Sequence, residues 1–183
     1  MEIKTTGFDG LVEIIPTVFS DDRGWFYEFY KEESYRAQNI NYRFVQENQS
    51  FSKKGVVRGL HMQLAPHSQA KLVTVISGKV LDVVVDLRQK SRTFGQVYYC
   101  LLNSENRKLL MIPEGFAHGF AALEDSLFFY KCSCAYNREA EAGIVWNDPD
   151  LNIDWQVKDP ILSEKDLHLP SLAELLRKSV ILP

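Results

Sequence analysis

Cysteine is scarce in this chain: three in 183 residues, an odd count with no CxxC spacing. That argues against a disulfide framework and against a zinc knuckle. Cys132 and Cys134 read instead as small core fillers on one face of a strand. Long apolar runs are also missing. None approaches about 18 residues, the length a spanning helix needs, and the opening MEIKTTGFDG has no apolar signal region. A reduced, cytoplasmic protein that does not engage a membrane is expected. Basic charge is lacking as well. A net charge of −3 argues against generic nucleic-acid binding, which needs a positive field. A few local Arg and Lys can still hold a small anion. Repeats, low-complexity tracts and Gly/Ser linkers are absent, so residues 1–183 are expected to form a single domain.

What is present favours strands. Aromatic residues reach 12%, a share that suits β structure and leaves rings to stack on a ligand. Short apolar runs alternate with turn signals. LVEIIPTVF is followed by SDDRG, and GWFYEFY leads into KEESYRAQ, a candidate short helix. YRFVQENQSFS ends at KKG. The Ser-Gly between AKLVTVI and VLDVVVDLR predicts a tight hairpin. GQVYYCLL, LLMIP and LFFYKCSCAY complete the series. SLAELLRK reads as a terminal helix, with Ser171 and Glu174 forming a capping box. Many strands and little helix predict an all-β fold: two antiparallel sheets around a central cavity, a jelly roll with short peripheral helices.

Several polar residues do not fit a core. His61, in VVRGLHMQ, is first read as a buried ring with one nitrogen satisfied. Arg58, Gln63 and Lys71 stand close by in sequence, and burying such a set without a ligand would be costly. Lys71 has its own plain reading, a solvated residue opening an edge strand; the alternative is an ammonium aimed at developing negative charge. Tyr130 sits among core aromatics, yet its hydroxyl needs a partner when buried and has the chemistry of a general acid. His118 either satisfies the turn after Gly115 or donates to a phosphate. Gln46 and Asn48 share one strand face, where two amides suit a base or sugar. Asp21, Asp22 and Gly24 read as a turn, Arg23 among them reads first as a surface residue, and Glu28 follows on the next strand. Asp166 lies in what reads as an ordinary charged loop.

A metal site is the obvious rival for His61. Metal-binding jelly rolls carry His-x-His, then a carboxylate, then a later histidine. Here the first motif reads His61-Met62-Gln63, and no Asp or Glu occurs between Gln63 and Lys71. An ammonium would weaken binding of a divalent cation nearby, so the cavity suits an anion better than a metal.

From about Phe19 to Asp166 the chain resembles the dTDP-4-dehydrorhamnose 3,5-epimerase family, of the cupin jelly-roll type. DDRGWFYE, VQENQS, VVRGLHMQLAPHSQAKLV, GKVLDVVVDLRQKSRTFGQ, IPEGFAHGF, FFYKCSCAY, GIVWNDPDLNIDW and ILSEKD carry the likeness in order. The resemblance implies a cofactor-free, metal-free homodimer with strand exchange and shared active sites. Its substrate would be a dTDP-sugar, dTDP-4-dehydro-6-deoxy-D-glucose, inverted at C3″ and C5″. By the same resemblance His61 is the base, Asp166 its partner, Lys71 the group at the C4 carbonyl oxygen and Tyr130 the acid. Arg23, Glu28, Gln46, Asn48, Arg58, His118, Tyr136, Glu141 and Lys165 match positions that contact nucleotide, diphosphate or sugar, part of them from the neighbouring subunit. Met62 and Ala70 depart from the usual pattern, which has an aromatic residue and glycine there; neither touches the implied chemistry. Three rival readings remain: an epimerase of C3 or C5 alone or a ketoisomerase, a metal-dependent oxygenase, and a sugar-nucleotide binding module without catalysis.

Overall fold

The computed structural model describes residues 1–177. In chain order the strands are β1 (Glu2–Thr5), β2 (Val12–Ile15), β3 (Val18–Asp21), β4 (Gly24–Tyr27), β5 (Gln46–Ser52), β6 (Val57–Gln63) and β7 (Lys71–Ser77). They continue with β8 (Lys79–Asp86), β9 (Val97–Asn103), β10 (Leu109–Ile112), β11 (Phe116–Ala122), β12 (Ser126–Cys132) and β13 (Glu141–Gly143). Three short helices are interspersed: α1 (Glu32–Arg36), α2 (Glu164–Leu167) and α3 (Leu172–Arg177). Six strands pair in the order β1-β2-β10-β7-β12-β5 and five in the order β13-β6-β11-β8-β9, while β3 and β4 form a separate hairpin. The pairings within these sheets are antiparallel. This is the jelly roll that the strand pattern predicts.

The period-two alternation of strands explains why the apolar runs look continuous. In β10, Leu110 and Ile112 point between the sheets, whereas Leu109 and Met111 point outward onto Tyr35 and Ile40. In β8, Val80 and Val84 face inward, and Leu81, Val83 and Val85 face an outer layer that holds Trp155, Leu172 and Leu175. These two strands therefore bury both faces. Each fully buried Val, Leu, Ile or Phe contributes roughly 1.5–3 kcal/mol.

Two sequence expectations change here. The Ser77-Gly78 step is no hairpin, because β7 belongs to the six-stranded sheet and β8 to the five-stranded one. The chain turns a corner instead. Gly78 has φ of 85°, and a Cβ there would lie 2.2 Å from the Asp125 carbonyl oxygen, so only glycine fits. Cys132 ends β12 and is buried, but Cys134 lies beyond the strand and is half-buried, so the two do not share a strand face. Other expectations hold. The β3–β4 hairpin turns at Asp22-Arg23, and α1 forms within KEESYRAQ. At α3 the Ser171 amide donates to Glu174 Oε2 at 2.9 Å and the Glu174 amide donates to Ser171 Oγ at 3.2 Å. Lys178, the last residue of the expected helix, lies outside the described residues.

Candidate active site

Strand parity gathers the polar residues at one end of the barrel interior. Lys71 shares its face with Val73 and Val75, which belong to the inner core. Tyr130 and Cys132 follow Phe128 on the inner face of β12, and His118 stands between Phe116 and Phe120 on β11. On β5, Gln46, Asn48 and Ser50 alternate with more exposed Glu47, Gln49 and Phe51. The floor is apolar and the mouth is polar.

β6 needs an irregularity to join them, since Arg58 and His61 are three apart and would face opposite ways on a regular strand. His61 pairs with His118 and Arg58 with Phe120, so three steps on β6 match two on β11. That bulge turns both side chains inward. Glycine permits it: Gly59 has φ of 121°, and a Cβ there would lie 2.6 Å from Gly119 Cα.

A cavity of about 300 Å³ is lined by Arg58, His61, Lys71, His118, Tyr130, Lys165 and Asp166, with Ser50, Ser163, Gly119, Phe120 and Phe128. A second hollow of about 270 Å³ shares His61, Lys71 and Tyr130 with it and extends past Gln46, Asn48, Gln63, Gln69, Cys132, Tyr136 and Glu141. Asp166 is not in a loop but in α2, whose N-cap Ser163 accepts from the Asp166 amide at 3.2 Å. There Asp166 is 3% exposed, and its Oδ1 lies 2.6 Å from His61 Nε2. Burial opposes its charge. The hydrogen bond and charge of His61, with the Gly59 amide and Ser163, outweigh that and hold the carboxyl below the usual range. His61 Nδ1 bonds to no described residue.

Lys71 opens a strand with neighbours on both sides, β10 and β12, not an edge strand. Its ammonium makes no hydrogen bond or ion pair among the described residues. Burial pushes its pKa below the ordinary lysine value, only partly offset by Cys132, Asp82 and Glu141. Burial likewise raises the Tyr130 phenol. A cation and a phenol that are both unpaired among the described residues therefore border one cavity with a carboxylate-bound imidazole.

His118 sits within β11 and not at the turn after Gly115; its Nε2 meets Asp82 Oδ2 at 2.9 Å. Gln46 Nε2 donates to Asn48 Oδ1 at 3.0 Å, and Gln46 Oε1 accepts from the Tyr136 amide at 2.8 Å. Glu141 joins Lys165 at 2.5 Å and Tyr136 at 3.0 Å. Burial works against that carboxylate, the two hydrogen bonds prevail, and its pKa is lowered. Arg58 donates to Ser52 Oγ and the Phe51 carbonyl.

Two expected site residues stand apart from this group within one chain. Arg23 tips the β3–β4 hairpin, paired with Asp21, its side chain 90% exposed. Glu28 accepts from Ser34 Oγ at 3.4 Å. Conversely, Asp82 reaches the site although its place in the sequence gives it no role. The signal for it is a lone acid inside the valine-rich run VLDVVV. Gln63 turns its amide oxygen to the Asn137 amide at 2.8 Å. Among the described residues no three His, Cys, Asp or Glu side chains stand close enough to share a metal ion.

The model of the dTDP-4-dehydrorhamnose 3,5-epimerase family matches residues 5–174. The chain belongs to this family. A dTDP-4-dehydrorhamnose 3,5-epimerase from Methanothermobacter thermautotrophicus is 47% identical over 173 residues, covering 92% of this chain and 93% of its own. The crystal structure of the epimerase from Elizabethkingia anophelis NUHP1 superposes with a TM-score of 0.91 at 46% identity, covering 95% of this chain and 97% of that one. The Legionella pneumophila dTDP-6-deoxy-D-glucose-3,5-epimerase, solved in complex with dTDP-4-keto-L-rhamnose, gives 0.92 at 42% identity, covering 98% and 96%. As an epimerase-family member the chain is an isomerase, and its cavity is the natural place to look for the chemistry.

Proposed function

We propose that this protein inverts C3″ and C5″ of dTDP-4-dehydro-6-deoxy-D-glucose to give dTDP-4-dehydro-L-rhamnose. One observation carries the reading: His61 bound to Asp166, the unpaired Lys71 and the free Tyr130 phenol all border one cavity. A hydrogen beside a ketone is weakly acidic, and imidazole removes it only if the enolate is stabilised as it forms. The Lys71 ammonium supplies that stabilisation at the C4 oxygen, in a site shielded from water. His61 takes the proton, through the nitrogen that Asp166 leaves free, and Asp166 steadies the imidazolium that results. Tyr130 returns a proton from the opposite face of the ring. Because the ketone activates both neighbours, one site serves both centres. The reaction needs neither organic cofactor nor metal; Gln63 and Lys71 stand where a metal site would want a ligand and no cation.

Arg58, His118, Lys165, Glu141, Tyr136, Gln46 and Asn48 hold the nucleotide, diphosphate and sugar. Two copies pair and exchange strands, so that Arg23 and Glu28 serve the neighbouring pocket. The exposure of Phe19 (63%), Trp25 (56%) and Phe26 (68%) on the β3–β4 hairpin supports that exchange. The protein works in the cytoplasm; its cysteines are all free, and none of the described helices is long and apolar enough to cross a membrane.

Incubation with dTDP-4-dehydro-6-deoxyglucose in deuterated water tests the reading by NMR. Deuterium is expected at both C3 and C5, with the L-sugar as product. Label at one centre only would make the protein a mono-epimerase. Tight dTDP binding with no label would make it a binding module. Stoichiometric zinc, iron or manganese, with activity lost to chelator, would refute the metal-free mechanism.

A further inference from the structure

Asp82 lies mid-strand in β8 with no exposed surface. Its parity with Val80 and Val84 aims it into the barrel, beside its cross-strand partners Cys100 and Phe120. Oδ2 meets His118 Nε2 at 2.9 Å, and Oδ1 bonds to none of the described residues. The other titratable groups that feel its charge are the Lys71 ammonium on β7 and the Cys100 thiol on β9. An acid half-satisfied in an apolar interior weakens the fold, and a leucine of similar size would suit the place better. Stability does not account for it.

His118 is what the acid touches. A carboxylate only accepts, so the hydrogen of this bond belongs to Nε2. The Nδ1 nitrogen has no partner among the described residues, and the ring borders the cavity. His61 pairs with His118 in register on the adjacent strand and meets its own acid through Nε2 as well. The cavity thus holds two imidazoles side by side, each anchored at Nε2.

We propose that Asp82 is a positioning residue that acts through His118: it takes the Nε2 hydrogen, fixes the plane of the ring and commits Nδ1 to the bound dTDP-sugar. The identity of that ligand rests on the function proposed above; the anchoring does not. Asp82→Leu is expected to raise KM about tenfold, to leave kcat nearly unchanged and to melt no lower than the wild type. Asp82→Asn, whose amide oxygen accepts the same hydrogen bond, recovers most of the KM. In a His118→Gln background, Asp82→Leu raises KM no further.

Three results would overturn the assignment. One is an unchanged KM in Asp82→Leu. Another is the same KM rise in the His118→Gln background, which would route the effect through Lys71. The third is a nitrogen-15 NMR spectrum of the wild type that puts the His118 hydrogen on Nδ1. The NMR measurement needs no turnover, so it decides even if Asp82→Leu does not fold. If the protein fails to label the sugar in deuterated water, the epimerase reading falls while the tautomer result stands or falls by itself.

Discussion

His61–Asp166 and His118–Asp82 stand side by side on paired strands, yet their acids are held by different means. Asp82 is part of the barrel wall. Seven consecutive register pairs between β11 and β8 fix its position, and no short segment has to fold onto anything to deliver it. Asp166 arrives from outside, on a four-residue helix near the end of the described chain. Its carboxylate is set by the Ser163 cap, a long contact from the Gly59 amide and the imidazole itself. The contrast separates a rigid device, suited to orienting, from a delivered one, suited to a group whose partner changes charge during reaction.

The sharpest way to break that contrast is to remove the ring on the delivered side. His61→Ala is expected to lower kcat by about 10²–10⁴ and to abolish deuterium wash-in, with dTDP binding retained; unchanged wash-in would end the base assignment. Next comes the cation that borders the same cavity. Lys71→Met should lower kcat about 10²–10³ and raise the melting temperature. The sign follows from its lowered pKa: the unfolded chain binds that proton more tightly, so wild-type stability climbs with pH between the folded and unfolded values. The Met variant should lack that climb in a pH series of denaturant melts.

Asp166→Asn sharpens the comparison through pH. The folded carboxyl lies below its unfolded value, so its contribution to stability is complete above about pH 4 and fades as pH falls through the folded pKa. The stability gap between wild type and variant should be constant near neutrality and close in acid. Smallest is Ser163→Ala, which removes the cap: about 1 kcal/mol of stability and a modest fall in kcat, by urea titration and steady-state assay. A loss as large as that of Asp166→Asn would mean that α2, not the ion pair, fixes the acid.

Much of this was legible in residues alone. The alternation that exposes one face of β5 and hides the other is written in VQENQSFS, and the polar residues of VVRGLHMQ and IPEGFAHGF mark the cavity. Turn chemistry at Ser77-Gly78 was legible too, but not its partner, because whether a glycine closes a hairpin or turns a corner depends on pairings with strands far away in sequence. The plain reading of Lys71 as the start of an edge strand fails for the same reason. Its place inside the sheet depends on β10 and β12, which arrive later in the chain. Asp82 carries no signal of its partner, since VLDVVVDLR reads as one strand whichever group its acid meets. Arg23 and Glu28 belong to a question no single chain answers.

The bulge at Gly59 has a further bearing on how this scaffold tolerates change. Both side chains it serves look inward only because three positions on one strand answer two on the next. Substitutions leave that count intact, whereas a single inserted or deleted residue between Arg58 and His61 would swing one of them out through the wall. Length variation in such proteins is therefore expected in the connecting loops, and this short arc of backbone should keep its residue number even where its chemistry drifts.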